Sequence, residues 1–112
     1  MYKGMNFGGG MNMQSLMKQA QKMQQEMQDK MEKAQEELEN TILTGTSGGG
    51  MVEVDCTGLK KVTAIRIKQE IVDPDDIEML EDLVVAAVND AISKAEDLDK
   101  SLKGDIPAGL GF

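Results

Sequence analysis

Histidine is absent from all 112 residues. That removes the commonest general base near neutral pH and the commonest metal ligand. Cysteine occurs once, at Cys56, so neither an internal disulfide framework nor a cysteine-rich zinc site can be built. Cys56 alternates with Val52 and Val54, which predicts a buried strand thiol. A catalytic thiolate would want a cationic neighbour such as histidine. Tryptophan is missing, and the only aromatics are Tyr2, Phe7 and Phe112, all near the ends. A core must therefore come from aliphatic residues and from some of the 10 methionines. Flexible side chains specify a small core weakly, which predicts support from a second subunit. No apolar run approaches the roughly 18 to 20 residues that span a bilayer. The start of the chain lacks the apolar stretch of a signal peptide. These absences point to a cytoplasmic protein without a membrane segment, a cofactor, a metal or a small-molecule substrate.

What is present is unevenly distributed. The net charge is −8. Residues 1–25 contain Lys3, Lys18 and Lys22 and no acid, whereas residues 69–99 hold one lysine against eleven acids. One end is mildly basic and one stretch is strongly acidic.

Residues 1–11 are glycine-rich and without periodicity, which predicts a flexible arm. Residues 12–40 contain no glycine, proline, valine or isoleucine and are dominated by Gln, Glu, Lys, Met and Ala, all good helix formers. Met13, Leu16, Ala20, Met23, Met27, Met31, Ala34 and Leu38 recur at spacings of three and four, one stripe along a straight helix. Its length, at about 1.5 Å per residue, is roughly 43 Å. A domain of this size is narrower, so part of the helix is expected to project, with the stripe serving core and subunit packing.

From residue 41 the texture changes to β-branched residues and glycines. Val52, Val54 and Cys56 alternate with Glu53, Asp55 and Thr57, the pattern of a strand with one buried face. A third strand is expected over about 61–68, where Val62 and Ile65 differ in parity and so imply a bulge or two partly covered faces. The run Gly48–Gly50 invites a phosphate-loop reading, but such a loop continues with Lys-Ser/Thr into a helix. Here Met51-Val52-Glu53 and a strand follow, so the glycines are expected to turn a hairpin at positive φ.

Pro74 ends the sheet region. Asp73 or Asp75 is expected to cap a second helix over about 76–103, stopped by Gly104. The acids of residues 73–78 fit capping better than calcium, since the spacing of a calcium loop is missing. In residues 83–88, LVVAAV, the helix is apolar all round, so more than one side must be covered. One side can take the sheet. The other is expected to meet the same helix of a second subunit through Leu83, Val84, Ala87, Val88 and Ala91. Residues 104–112 are expected to be a flexible tail.

With these segments, MNMQSLMKQAQKMQQEM, GGGMVEVDCTG and MLEDLVVAAVNDAISKAE, the chain resembles the YbaB/EbfC family of bacterial nucleoid-associated proteins over residues 11–112. The resemblance implies an α+β fold, α-β-β-β-α, with a long first helix, a three-stranded antiparallel sheet and a long last helix in a single domain, residues 12–103. It further implies a tweezers-like homodimer with duplex DNA between its projecting helices, a location in the cytoplasm and nucleoid, and no catalysis.

DNA affinity comes mainly from lysine and arginine neutralising phosphates. Lys18 and Lys22 stand four apart on one helical face, off the methionine stripe. Gln14, Gln19, Gln21 and Gln25 lie near them and can donate to phosphate oxygens. The competing reading is an ordinary solvated face. Lys100 and Lys103 would join the patch if the two helix tips lay side by side, although Glu96 and Asp99 stand four residues before them as surface partners. Asn89 is a further candidate for phosphate or base. The one arginine, Arg66, falls in a strand, so little sequence preference is expected. The alternative function is an adaptor that binds a protein partner through the methionine-rich helix.

Overall fold

The computed structural model describes residues 13–104. Helix α1 (Met13–Asn40) leads into strand β1 (Ile42–Ser47), β2 (Val52–Thr57), β3 (Val62–Ile67) and helix α2 (Ile77–Lys103), with short 3-10 turns at Gly48–Gly50 and Gln69–Ile71. The strands form one antiparallel sheet in the order β1-β2-β3. The α+β architecture is the expected one. The arm 1–11 and nearly all of the tail 104–112 lie outside the described residues.

The hairpin between β1 and β2 explains the glycine run. Gly48, Gly49 and Gly50 have φ of 59°, 67° and 92°, the left-handed region that glycine enters without steric cost. Met51 N–H donates to Gly48 O at 3.3 Å and the strands pair immediately outside, Ser47 opposite Val52.

Parity also resolves in β3. Val54 pairs with Ile65 and Asp55 with Ala64, but Cys56 pairs with Val62. Thr63 is thus the extra residue of a bulge, and Val62, Ile65 and Ile67 all share the face of Val52, Val54 and Cys56.

Helix α2 lies on that face over β1 and β2. Its Ala87, Ala91 and Ala95 are fully covered, as are Val52, Val54 and Cys56. The approach is close because β1 offers a glycine. A Cβ on Gly45 would stand 2.2 Å from Ala91 N and 2.3 Å from Ala87 O. No side chain of any size fits there. Polar ties follow the same line. Ser47 Oγ donates to Leu83 O at 2.6 Å, Thr46 N–H to Asp90 Oδ2 at 2.9 Å, and Lys94 Nζ to Thr44 O at 2.8 Å. The last two use backbone groups on the outer edge of β1.

The helix cap differs from expectation by a few residues. Asp76 is the N-cap, its Oδ1 accepting from Met79 N–H at 3.2 Å. Asp73 instead accepts from Asp75 N–H at 2.9 Å, closing a turn around Pro74. Three neighbouring acids could each cap, and the exit direction from the preceding 3-10 turn decides between them.

α1 meets the body only at its end. Ala34 and Leu38 are its buried residues. Leu38 seats on Gly58, whose N–H donates to Leu38 O at 2.8 Å. A Cβ on Gly58 would be 2.8 Å from Leu38 Cα. The positive φ of the β2–β3 turn falls on Lys60, at 68°, held by Lys60 N–H donating to Thr57 O at 2.8 Å. Gly58 is there for closeness rather than for φ.

Candidate nucleic-acid interface

Between Met13 and Lys33 of α1 no residue is buried, and Met27 alone is half-buried. The helix carries its first five turns beyond the sheet. Met13, Leu16, Met17 and Met23 are exposed, so within the chain the stripe is core only at its inner end, at Ala34 and Leu38. Helical periodicity identifies an apolar face. It does not say that anything covers it.

At about 100° per residue, Lys18 and Lys22 stand on the side of α1 opposite the stripe. Together with Ser15 and Gln19 they line a shallow depression. Among the described residues neither lysine forms an ion pair. Gln14 is exposed one turn earlier. Gln25 is also exposed, but its Nε2 donates to Asp29 Oδ1 at 3.1 Å. Cationic and amide groups therefore share the outer part of the helix, and acids enter from Glu26 onward.

The other expected contributors lie elsewhere. Lys103 lines a hollow with Gln35, Leu38 and Gly58, thirteen residues of helix, or about 20 Å, from the level of Lys22. Its Nζ is 3.0 Å from Asp99 Oδ1, an ion pair without hydrogen-bond alignment. Lys100 is exposed on the same end of α2, and Glu96 faces Lys60 at 3.8 Å instead of Lys100. Within one chain, the basic outer end of α1 is thus not beside the end of α2, since the two helices overlap only near their C-terminal turns. Asn89 is exposed on the side of α2 away from the sheet and is not brought to the basic patch.

Arg66 is committed to the sheet. Its Nη1 and Nη2 each donate to Asp55 at 2.8 Å and its Nε to Glu53 Oε1 at 3.0 Å. Thr44 Oγ1 adds a bond to Asp55 Oδ1 at 2.9 Å. Three strands are cross-linked on the face away from α2. The fork of Arg66, and then Thr44, hold the Asp55 carboxyl down at about 2. With two carboxylates around it, Arg66 has little left for a phosphate. Cys56 is buried, and burial first, then the Asp55 charge, raises its thiol, so it is a core residue and no nucleophile.

The expected subunit contacts divide. Leu83, Val84 and Val88 are half-buried against the core, while Ala87 and Ala91 have no exposed surface left. Their place in a contact between subunits is corrected: the small side chains let α2 approach Gly45 of its own sheet. On α2 the exposed large apolar residue of this segment is Val85, and a further apolar patch lies on β3. Val62, Ile65 and Ile67 are 40%, 46% and 40% exposed on the face that α2 leaves uncovered. The parity break at Val62 was the available signal, because a bulge is what places all three on one face.

Among the described residues no group of side chains is arranged for a metal ion, and no helix is long and apolar enough to cross a membrane. A projecting helix, basic in its outer part, on a small α+β body is the arrangement left to account for. A model of the YbaB/EbfC DNA-binding family matches residues 8–110. The chain belongs to that family. A nucleoid-associated protein of Ruminiclostridium cellulolyticum is 50% identical over 110 residues, covering 98% of this chain and 90% of that protein. One from Bacillus cytotoxicus is 53% identical over 105 residues, covering 93% of each. The crystal structure of the uncharacterized protein HP0035 from Helicobacter pylori superposes with a TM-score of 0.68 at 26% identity, covering 85% of this chain and 96% of that one. The YbaB/EbfC family is a DNA-binding family, which sets enzymatic readings aside.

Proposed function

We propose that the protein is a nucleoid-associated homodimer of the bacterial cytoplasm that holds duplex DNA between its two α1 arms, with weak sequence preference. The observation that carries the reading is the placement of Lys18 and Lys22, without ion pairs among the described residues, on the half of α1 that stands clear of the acidic body. Phosphate neutralisation by such residues carries no sequence information, and the only arginine is occupied by Asp55 and Glu53. A two-fold pairing of the uncovered β3 face would bury Val62, Ile65 and Ile67 of both copies and duplicate the basic patch. On α2, Val84 and Val88 turn toward that face, whereas Leu83 lies on the β1 side against Gly48. Lys100 and Lys103 would play a minor part, Lys103 being paired with Asp99.

The test is a salt-series titration of duplex DNA with the parent and the Lys18→Glu, Lys22→Glu protein. A dimer loses four cationic contacts, so the slope of log affinity against log salt should flatten by about 3 to 4. An unchanged slope and affinity would remove this site. A second reading rests on the exposed Met13, Leu16, Met17 and Met23, a surface of the adaptable kind that protein partners use. An absence of binding to any duplex at physiological salt, with a stable partner held through these residues, would favour it.

A further inference from the structure

Gln24, Met27, Gln28, Met31, Glu32 and Gln35 line a groove along one face of α1. Its floor is apolar, from Met27 and Met31, and its rim carries three amides and the carboxylate of Glu32. At its inner end Gln35 also lines the hollow that contains Asp99 and Lys103. The groove therefore opens where α2 finishes, and the chain continues from that point as Gly104 and then DIPAGLGF. We infer that this groove is the docking site of residues 105–112 of the same chain.

Length supports the assignment. Eight residues in extended form reach about 26 Å. From Gln35 to Gln24 the groove runs about 17 Å, while Met13 lies about 33 Å away. The segment can cover Met27 and Met31 but cannot reach Leu16 or Met13. Its chemistry fits as well. Ile106, Ala108, Leu110 and Phe112 are apolar, and Pro107 prevents α2 from continuing through it. An extended segment offers unpaired backbone groups, which the amides of Gln24, Gln28 and Gln35 can satisfy. Methionine side chains adapt to an irregular occupant and favour an aromatic ring such as Phe112. Asp105 is the segment's only charged side chain, and the hollow at the inner end of the groove is lined by Lys60 and Lys103 together with Asp99. Docking would strap the inner half of α1 to the end of α2 and stiffen the arm.

The chain has no tryptophan, so Phe112→Trp supplies a single reporter in the full-length protein. Docking predicts blue-shifted emission that acrylamide quenches weakly. Adding Met27→Glu and Met31→Glu should shift it to the wavelength of a solvated indole and raise quenching at least about threefold, with helical circular dichroism unchanged. A solvated emission in the Phe112→Trp protein alone, or a shielded one that ignores the α1 substitutions, would overturn the inference. A Met27→Cys, Leu110→Cys protein settles which copy supplies the segment. Oxidation should give a cross-linked species of monomer mass in denaturing, non-reducing conditions; a covalent dimer would show that the second copy occupies the groove and overturn docking within one chain. None of these readouts uses DNA, so their failure leaves the DNA-binding reading standing.

Discussion

At the β1 edge of the sheet, Asp90 and Lys94 reach from α2 and occupy Thr46 N–H and Thr44 C=O. At the β3 edge no described element follows, and three aliphatic side chains stand half in water. An open edge is a template for another chain, which natural sheets blunt or use. The charged pair on β1 is blunting. It meets backbone groups that would otherwise accept a foreign strand. β3 carries Arg66 on the opposite face, tied down by Asp55 and Glu53, and no charge among the residues on its open face. The contrast teaches that one edge is finished within the chain and the other is left open, as the proposed pairing of subunits requires.

The comparison breaks most severely at Gly45. Gly45→Val puts a branched side chain where even a Cβ meets Ala91 N at 2.2 Å. Overpacking costs about 1–3 kcal/mol where neighbours can shift, and here the neighbour is helix backbone. Loss of the cooperative thermal transition, or a destabilisation of at least about 3 kcal/mol by urea, is expected. At the other edge Ile65→Lys should leave the fold intact and separate the subunits. Sedimentation should then report half the parent mass with unchanged helical content, and an unaltered dimer would mean that β3 is not the contact. Asp90→Ala frees Thr46 N–H to water and is expected to cost about 1 kcal/mol, read from the urea midpoint. The smallest effect is electrostatic. Asp55 titrates at about 2 in the fold against 3.8 without its partners. A depressed carboxyl contributes stability above its unfolded value and loses it as the pH falls through the folded one. The urea midpoint should therefore decline between about pH 4 and 2, and less steeply in Asp55→Asn. An equal decline in both proteins would assign it to other carboxylates.

Both helices were legible in the sequence because a 3.6-residue period survives any tertiary context, and the glycine hairpin because three adjacent glycines have few other uses. The bulge was visible as a clash of parity between Val62 and Ile65. What could not be read was which neighbour each face would find. Ala87 and Ala91 suit close packing against a helix or a sheet alike, and Gly45 settles the matter only once the strand register is known. The methionine stripe has one pattern throughout, yet Leu38 is buried and Met23 exposed, because the sheet ends between them. Lys18 and Lys22 were legible as a patch by spacing alone. The separation of Lys103 from them depends on how far α1 and α2 overlap, which no local pattern encodes.

Gly58 beneath Leu38 is a fulcrum. From that seat to Lys18 the arm measures about 30 Å, so a tilt of about 10° at the glycine swings the lysine by roughly 5 Å, more than the spacing of neighbouring phosphates along the duplex axis. In the proposed dimer the gauge of the gap between the two arms would thus be set by a contact with no room for a methyl group, far from the lysines that would touch nucleic acid.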